Sequence, residues 1–186
     1  MERLLSEYTD TELYECLSTA DADVAFSELY ARYSSVVYAY CVRVMGDRDK
    51  AADVFQDTFI RFYQSAQRHQ SMENVKGYLL TISRNLCLNE KKRASANNLE
   101  FDELLYNPGE SREQERNEMM DLIARALELL PQDMREAFVL REYQGLSYKE
   151  MTVILDIKLE TAKVRVFRAR QRIKEILQPY LDDMQR

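Results

Sequence analysis

A basic cluster close to the carboxyl end of the chain could bind nucleic acid. Residues 158–174 contain seven Lys or Arg side chains and one acidic side chain, Glu160. Clustered cations attract the phosphate backbone of DNA, and long polar side chains on a helix can also reach base edges. Helical spacing predicts one exposed side that could contact DNA, made of Thr161, Lys163, Val164, Arg165, Phe167, Arg168 and Arg172.

A second basic cluster lies in the middle of the chain. Its members are Arg84, Lys91, Lys92 and Arg93. The same stretch also contains Tyr78, Asn85 and Asn89. An aromatic ring for stacking, amides for base edges and cations for phosphates are together typical of a surface that binds single-stranded nucleic acid. Two alternatives stay open: both clusters could be ordinary solvated helix faces, and Tyr78 could belong to the core.

Residue types that support catalysis or metal binding form no recognisable pattern in the sequence. His69 is the single histidine, and there is no glycine-rich phosphate loop. Cys16, Cys41 and Cys87 are odd in number and far apart, so we predict buried thiols rather than a disulfide or a zinc site. We therefore expect no enzyme activity, no metal and no cofactor.

The composition predicts a globular helical protein with segregated charge. Apolar residues make up 46% and charged residues 31%, and four Gly with three Pro leave little material for hairpin turns. The net charge is −6, but the acidic residues concentrate in residues 1–30 and 94–121. No apolar run approaches the roughly 20 residues of a membrane span, and the amino-terminal MERLLSEYTD lacks the features of a signal peptide. We expect a cytoplasmic protein without membrane insertion.

Periodic apolar residues predict the elements that carry these clusters. Three helices are expected first, over residues 21–45, 49–67 and 74–93, and four more over residues 113–130, 132–144, 147–155 and 159–177. The intervening residues 94–112 contain Pro108 and Gly109 and predict a linker. The expected fold is all-α: a helical bundle in residues 1–93 and a second small helical domain in residues 113–186, joined by a flexible acidic linker.

The last two predicted helices have the pattern of a helix-turn-helix. Ser147 is a good amino-terminal cap, and Glu150 completes a capping box three residues later. In such a motif the first helix braces the second, which enters the major groove of duplex DNA. The second helix is expected to bury an apolar stripe of Leu159, Ala162, Val166, Ala169, Ile173 and Ile176. A similar stripe over residues 49–67 contains Ala51, Phe55, Phe59, Phe62 and Ala66.

Two separate stretches of the chain have distinctive patterns. The first contains the strings FSELYARYSSVVYAYCVRVMGD, AADVFQDTFIRFY and VKGYLLTISRNLCLNEKKR. The second contains Leu130, Pro131, Arg135, Phe138, Leu140, Gly145, Ser147, Glu150, Thr161, Lys163, Arg165, Arg168, Ala169 and Arg170. They resemble regions two and four of the extracytoplasmic-function (ECF) subfamily of sigma-70 family sigma factors. The two stretches, in this order, cover nearly all of residues 21–177, which is more specific than a helix-turn-helix alone.

This resemblance implies a non-catalytic protein that binds core RNA polymerase, through its β′ and β subunits, and directs it to promoter DNA. It implies polymerase docking at Asp53, Gln56, Asp57 and Ile60. It implies recognition of the minus-ten element by residues 68–73 and by Tyr78, Arg84, Asn85, Asn89, Lys92 and Arg93. It implies recognition of the minus-thirty-five element by Ser147, Tyr148, Thr161, Lys163, Val164, Arg165, Phe167 and Arg168. An anti-sigma factor is left open as a further partner.

Three positions depart from the pattern of the family. Relatives often have Trp at the position of Tyr78, Val at that of Ala162, and Ser or Thr at that of Val164. Tyr78 preserves an aromatic surface. Val164 places an apolar side chain where DNA is expected, so the preferred promoter sequence cannot be taken over from relatives.

Two other functions stay open at the level of sequence. A stand-alone helix-turn-helix regulator would bind operators without polymerase, and the polar face of Asp53, Gln56 and Asp57 argues against it. A helical adaptor without a role on DNA would leave the arrangement of Lys163 and Arg168 unexplained.

Overall fold

Eight α-helices follow one another in the part of the chain that the computed structural model describes, which is residues 7–68, 72–97 and 114–184. In chain order they are α1 (Asp10–Cys16), α2 (Ala22–Met45), α3 (Arg48–Ala66), α4 (Val75–Asn97), α5 (Gln114–Glu128), α6 (Gln132–Phe138), α7 (Tyr148–Leu155) and α8 (Leu159–Met184). These residues contain no β-strand. The predicted all-α class is confirmed.

The start and end of the early helices follow from local sequence. Gly46 ends α2 in the left-handed conformation, with a φ of 74°, which glycine adopts without steric cost. The Asp47 side chain then caps α3 by accepting hydrogen bonds from the backbone N–H groups of Asp49 and Lys50, both at 3.0 Å. The two helices predicted over residues 21–45 and 49–67 are therefore confirmed to within one residue at each end.

Three elements differ from the predicted boundaries. The predicted helix over residues 132–144 is α-helical only to Phe138 and continues as a π-helical turn over Val139–Tyr143. Helix α4 extends to Asn97, into the predicted linker. Helix α8 continues to Met184 through Pro179. Pro179 lies on an exposed part of the helix, where water can replace the backbone hydrogen bond that proline cannot donate.

Helix α1 was not predicted. It begins with a capping box in which the Glu12 N–H donates to the Thr9 hydroxyl at 3.2 Å and the Thr9 N–H donates to the Glu12 carboxylate at 2.7 Å. The inner face of this segment is buried and consists of Leu13, Tyr14 and Leu17. The spacing of Thr9 and Glu12 is a sequence signature that could have found this helix.

The core of the first half lies between α2, α3 and α4. An aromatic cluster joins α2 to α3, with ring centroids 4.8 Å apart for Tyr30 and Phe59 and 5.3 Å apart for Phe55 and Phe59. The predicted stripe on α3 is confirmed, with Phe55 only partly buried. On α8 the predicted stripe is wrong at Leu159, which is 38% exposed because a side chain at the first helical position has no preceding turn to cover.

The second half packs against the first through α6, the π-helical turn and α7. Leu140, Met151 and Leu155 belong to the same apolar core as the residues of α2 and α4. Hydrogen bonds also cross between the halves: Lys76 Nζ donates to the Gln144 carbonyl at 2.8 Å, and Gln144 Nε2 to the Val36 carbonyl at 3.3 Å. The helices on either side of residues 98–113 therefore lie against each other.

Two further observations concern the predictions about cysteines and membranes. Cys41 and Cys87 are buried free thiols, as predicted, whereas Cys16 is only partly buried because it lies at the carboxyl end of α1. Within the described ranges, none of the helices is both long enough and apolar enough to cross a bilayer.

Candidate functional site

Helices α7 and α8 form the predicted helix-turn-helix. The Ser147 hydroxyl accepts from the Glu150 N–H at 3.2 Å, and the Glu150 carboxylate accepts from the Ser147 N–H at 2.8 Å. The Ser147 hydroxyl, which donates to the Glu150 carboxylate at 2.6 Å, and then the Ser147 N–H lower the pKa of Glu150. Asp156 ends α7 in the left-handed conformation, with a φ of 52°. The predicted capping box is confirmed, and only residues 156–158 connect the two helices.

Most of the residues that were predicted to contact the minus-thirty-five element are exposed. They are Ser147, the cap of α7, and on α8 Thr161, Lys163, Val164, Phe167 and Arg168. Arg165 differs, because its Nε atom lies 3.2 Å from Asp133 Oδ2 of α6. Tyr148 is partly buried, and the Arg141 guanidinium lies 4.7 Å from the centre of its ring. The structure therefore forms an exposed basic face on α8, while Arg165 and Tyr148 are each in contact with a neighbouring charged side chain.

The residues predicted to contact the minus-ten element divide into two groups on α4. Asn85, Asn89, Lys92 and Arg93 are exposed. Tyr78 is partly buried, with its ring centroid 6.3 Å from that of Phe62 at the margin of the core. Arg84 Nε lies 3.1 Å from Glu136 Oε2 of α6, and the two side chains are only 17% and 2% exposed. Part of the predicted surface thus faces the second half of the chain.

Lys91 and Arg135 extend this buried polar contact between the halves. Lys91 Nζ donates to Gln132 Oε1, and Gln132 Nε2 donates to Glu136 Oε1 at 2.8 Å. Burial, followed by the nearby Arg135 guanidinium, lowers the pKa of Lys91 to about 8. Arg135 Nη1 donates to the Val44 carbonyl of α2 at 3.3 Å. Sequence reasoning assigned Lys91 to phosphates and missed Glu136, because nothing local in the sequence indicates a partner on another helix.

The polar face of α3 is exposed, as its amphipathic pattern predicts. Asp53, Gln56, Asp57 and Ile60 all point to solvent, and Ile60 is 54% exposed. Phe59 and Phe62 lie buried on the opposite side. Single exposed apolar residues are common on protein surfaces, so Ile60 alone does not identify a binding face. The exposed carboxylates, the amide and Ile60 together are compatible with a protein-binding face.

An open groove between α3 and α4 brings two predicted sites together. It has a volume of about 820 Å³. Its walls carry residues predicted for polymerase docking and for the minus-ten element, namely Asp53, Gln56, Asp57, Asn89, Lys92 and Arg93. Lys50 and Arg61 also line it and were not predicted. That acidic residues of α3 and basic residues of α4 line one groove could not be read from either segment alone.

The loop before α4 is only partly described. Residues 69–71 of the predicted minus-ten loop, including His69, lie outside the described residues. Met72 packs against the core, while Glu73 and Asn74 are exposed. Asn74 Oδ1 accepts a hydrogen bond from the Gly77 N–H at 2.8 Å, which caps the start of α4.

Comparisons with known proteins agree with this geometry. Residues 29–97 match the family model for Sigma-70 region 2, and residues 120–173 match that for Sigma-70, region 4. The chain is 30% identical, over 177 residues, to ECF RNA polymerase sigma factor SigE of Mycolicibacterium smegmatis, covering 92% of this chain and 68% of that protein. It is also 30% identical, over 190 residues, to the ECF RNA polymerase sigma-E factor of Escherichia coli K12, covering 94% and 97% of the two chains.

A solved structure is similar over most of the chain. The sigma factor RpoE of Bartonella quintana, crystallised in complex with the anti-sigma factor NepR, superimposes with a TM-score of 0.69. The sequences are 25% identical, and the match covers 82% of this chain and 96% of that one.

Proposed function

The chain belongs to the ECF subfamily of sigma-70 RNA polymerase sigma factors and directs polymerase to promoters, and we propose that α3, α4 and α8 carry its three binding surfaces. In this proposal α3 docks on the polymerase, α4 reads and opens the minus-ten element, and α8 reads the minus-thirty-five element. The observation that carries it is the joint exposure of two basic helical faces and one acidic helical face in a single chain that has both sigma regions.

The docking surface is the exposed face of α3. Asp53 and Asp57 offer carboxylates and Gln56 an amide, beside the exposed apolar side chain of Ile60. Such a face suits a basic helical partner, and we assign it to the coiled coil of the polymerase β′ subunit. Because Phe59 and Phe62 hold the opposite side of α3 in the core, the position of the face is fixed by packing.

The minus-ten surface is the exposed part of α4. Asn85 and Asn89 can hydrogen-bond to the edges of unpaired bases, and Lys92 and Arg93 can neutralise phosphates of the separated strand. Arg84 can join them only when its contact with Glu136 is broken. Asn89, Lys92 and Arg93 line the same groove as Asp53, Gln56 and Asp57, which supports a path for the separated strand close to the bound polymerase.

The minus-thirty-five surface is the exposed face of α8, with Ser147 at the start of α7 near the DNA backbone. Lys163 lies close to the amino-terminal end of α8, which is the part of a recognition helix that reaches base edges. Arg168 lies further along and can contact a base or a phosphate.

The remaining parts of the proposal concern chemistry, location and partners. The polymerase supplies the catalysis, so the chain itself needs no active site and no cofactor. It works in the cytoplasm with the polymerase. Residues 1–93 and 113–186 are the two functional domains. Because the solved sigma factor from Bartonella quintana is bound to an anti-sigma factor, we include such a partner for this chain.

The docking surface is tested by replacing Asp53 and Gln56 with Ala in the full-length chain. Capture of core polymerase should fall, while helicity measured by circular dichroism stays unchanged. The matched control replaces Gln178 and Asp182, an exposed Gln and Asp pair on α8 joined by a hydrogen bond of 2.8 Å. If both double variants capture polymerase like the unaltered chain, α3 is not the docking surface.

A further inference from the structure

Two exposed apolar side chains lie at the centre of the outer face of α8. At roughly 100° of rotation per residue, Val164 and Phe167 point within about 60° of each other and away from the buried side chains of Ala162, Val166 and Ala169. Val164 is 45% exposed and Phe167 is 62% exposed. Both therefore project from the helix instead of covering the core.

Cations flank this apolar pair. Lys163 lies on one side of it around the helix and Arg168 on the other, and both side chains are exposed. Glu160 and Gln171 continue the same face in the two directions along the axis. An apolar pair this small, between polar neighbours, is too narrow for a membrane-binding stripe. Its charged surroundings instead fit a polyanion that offers small apolar groups between its phosphates.

The major groove of DNA contains one such apolar group, the 5-methyl of thymine. We propose that Val164 and Phe167 select thymines in the minus-thirty-five element by contacting their methyl groups. This inference rests on the proposed function, in which α8 enters the major groove. In this inference the apolar pair selects bases, while Lys163 and Arg168 donate hydrogen bonds to base edges or contact phosphates.

The apolar side chain of Val164 should favour thymine over guanine and cytosine. A serine or threonine at this position could exchange hydrogen bonds with several base edges, whereas valine can exchange none. A guanine or cytosine edge facing Val164 would lose water without gaining a partner, and unsatisfied polar groups are costly. A thymine methyl would bury apolar surface against Val164 instead. The three-residue spacing to Phe167 corresponds to about 4.5 Å along the helix, so the second thymine should lie on a neighbouring base pair.

The test uses holoenzyme reconstituted from the full-length chain and core RNA polymerase. A promoter is first selected from a library with a randomised minus-thirty-five element. Each thymine of the selected element is then replaced singly by deoxyuridine, which removes only the methyl group, and binding is measured. We expect two neighbouring positions at which the loss is about fourfold, the effect of one buried methyl group.

Substitutions connect those positions to individual side chains. Val164→Ser should abolish the deoxyuridine penalty at one position and leave the other, while Phe167→Ala should do the reverse. Val153→Ser is the matched control, because Val153 is a 78% exposed valine on α7 and not on α8. It should keep both penalties.

The outcomes separate this inference from the proposed function. If no deoxyuridine substitution weakens binding while Lys163→Ala and Arg168→Ala still do, α8 reads the element without its methyl groups and the inference is wrong. It is equally wrong if the penalties persist in Val164→Ser and Phe167→Ala. If the holoenzyme selects no minus-thirty-five sequence at all, the proposed function of α8 fails with it.

Discussion

The basic clusters of α4 and α8 have similar side chains but different surroundings. On α8, Lys163 and Arg168 are exposed, whereas Arg165 contacts Asp133 of α6 and Arg170 contacts Glu142 of the π-helical turn. On α4, Arg84 is ion-paired with Glu136 and Lys91 is hydrogen-bonded to Gln132, so both side chains hold the two halves together. The outer face of α8 is therefore accessible in this arrangement, whereas Arg84 and Lys91 of α4 become accessible only when the halves separate.

Breaking the contact at α4 should have the largest effect on stability. Glu136→Ala leaves Arg84 without its buried partner. Removing one member of a buried ion pair lowers the free energy of unfolding by roughly 3–5 kcal/mol. Glu142→Ala removes the partner of Arg170, whose side chain is 52% exposed, and should cost at most about 1 kcal/mol. Urea unfolding of both variants measures the difference. Equal losses would mean that the Arg84 contact is no more important than a surface pair.

The next largest effect is expected on α8. Lys163→Ala should cost roughly 1–3 kcal/mol of binding to the preferred minus-thirty-five sequence and much less on a scrambled one. Arg168→Ala should behave in the same way if Arg168 contacts a base. If it contacts a phosphate, it should weaken all sequences alike and make binding less sensitive to salt. Holoenzyme binding to both sequences at several salt concentrations measures these effects, and unaltered binding by both variants would remove the recognition-helix assignment.

The buried lysine at the contact predicts a dependence on pH. The pKa of Lys91 is lowered to about 8 in the folded chain, so between pH 8 and the unfolded value near 10.5 the unfolded chain binds more protons than the folded one. This difference makes the contribution of Lys91 to stability rise with pH across that window. Buried groups with raised pKa values, such as Tyr40, act in the opposite direction.

Comparison with Lys91→Met isolates the effect of this one group. The free energy of unfolding of the unaltered chain, minus that of Lys91→Met, should increase from pH 8 to pH 10. Parallel pH profiles for the two proteins would show that Lys91 is not buried between the halves.

The smallest effect on the folded chain is expected at the exposed end of α4. Lys92→Ala and Arg93→Ala together should leave unfolding unchanged and reduce promoter opening more than polymerase capture. If each side chain neutralises a phosphate of the separated strand, the slope of log affinity against log salt should fall by about 0.7 for each. Normal opening on duplex promoters, with an unchanged slope on pre-opened ones, would exclude these contacts.

The sequence predicted what local chemistry determines. Ser147 and Glu150 lie within one turn and cap α7 as expected, and the periodic phenylalanines of α3 fix which face carries Asp53 and Gln56. It missed contacts between distant residues. Arg84 and Glu136 are 52 positions apart, and either would be an ordinary surface charge on an isolated helix. The burial of Leu159 was wrongly predicted for a related reason. Leu159 is the first residue of α8, so its burial depends on what precedes the helix and not on the helical pattern.

Transcription from a promoter library by core RNA polymerase, with and without the chain, tests the account most directly. We predict that initiation at defined promoters requires the chain, that Lys163→Ala alters the preference at the minus-thirty-five element, and that Asn85→Ala with Asn89→Ala alters it at the minus-ten element. The double variant with Asp53→Ala and Gln56→Ala should abolish initiation at these promoters. If instead the chain binds its preferred duplex without polymerase and leaves the start sites of the polymerase unchanged, the roles proposed for α3, α4 and α8 are wrong.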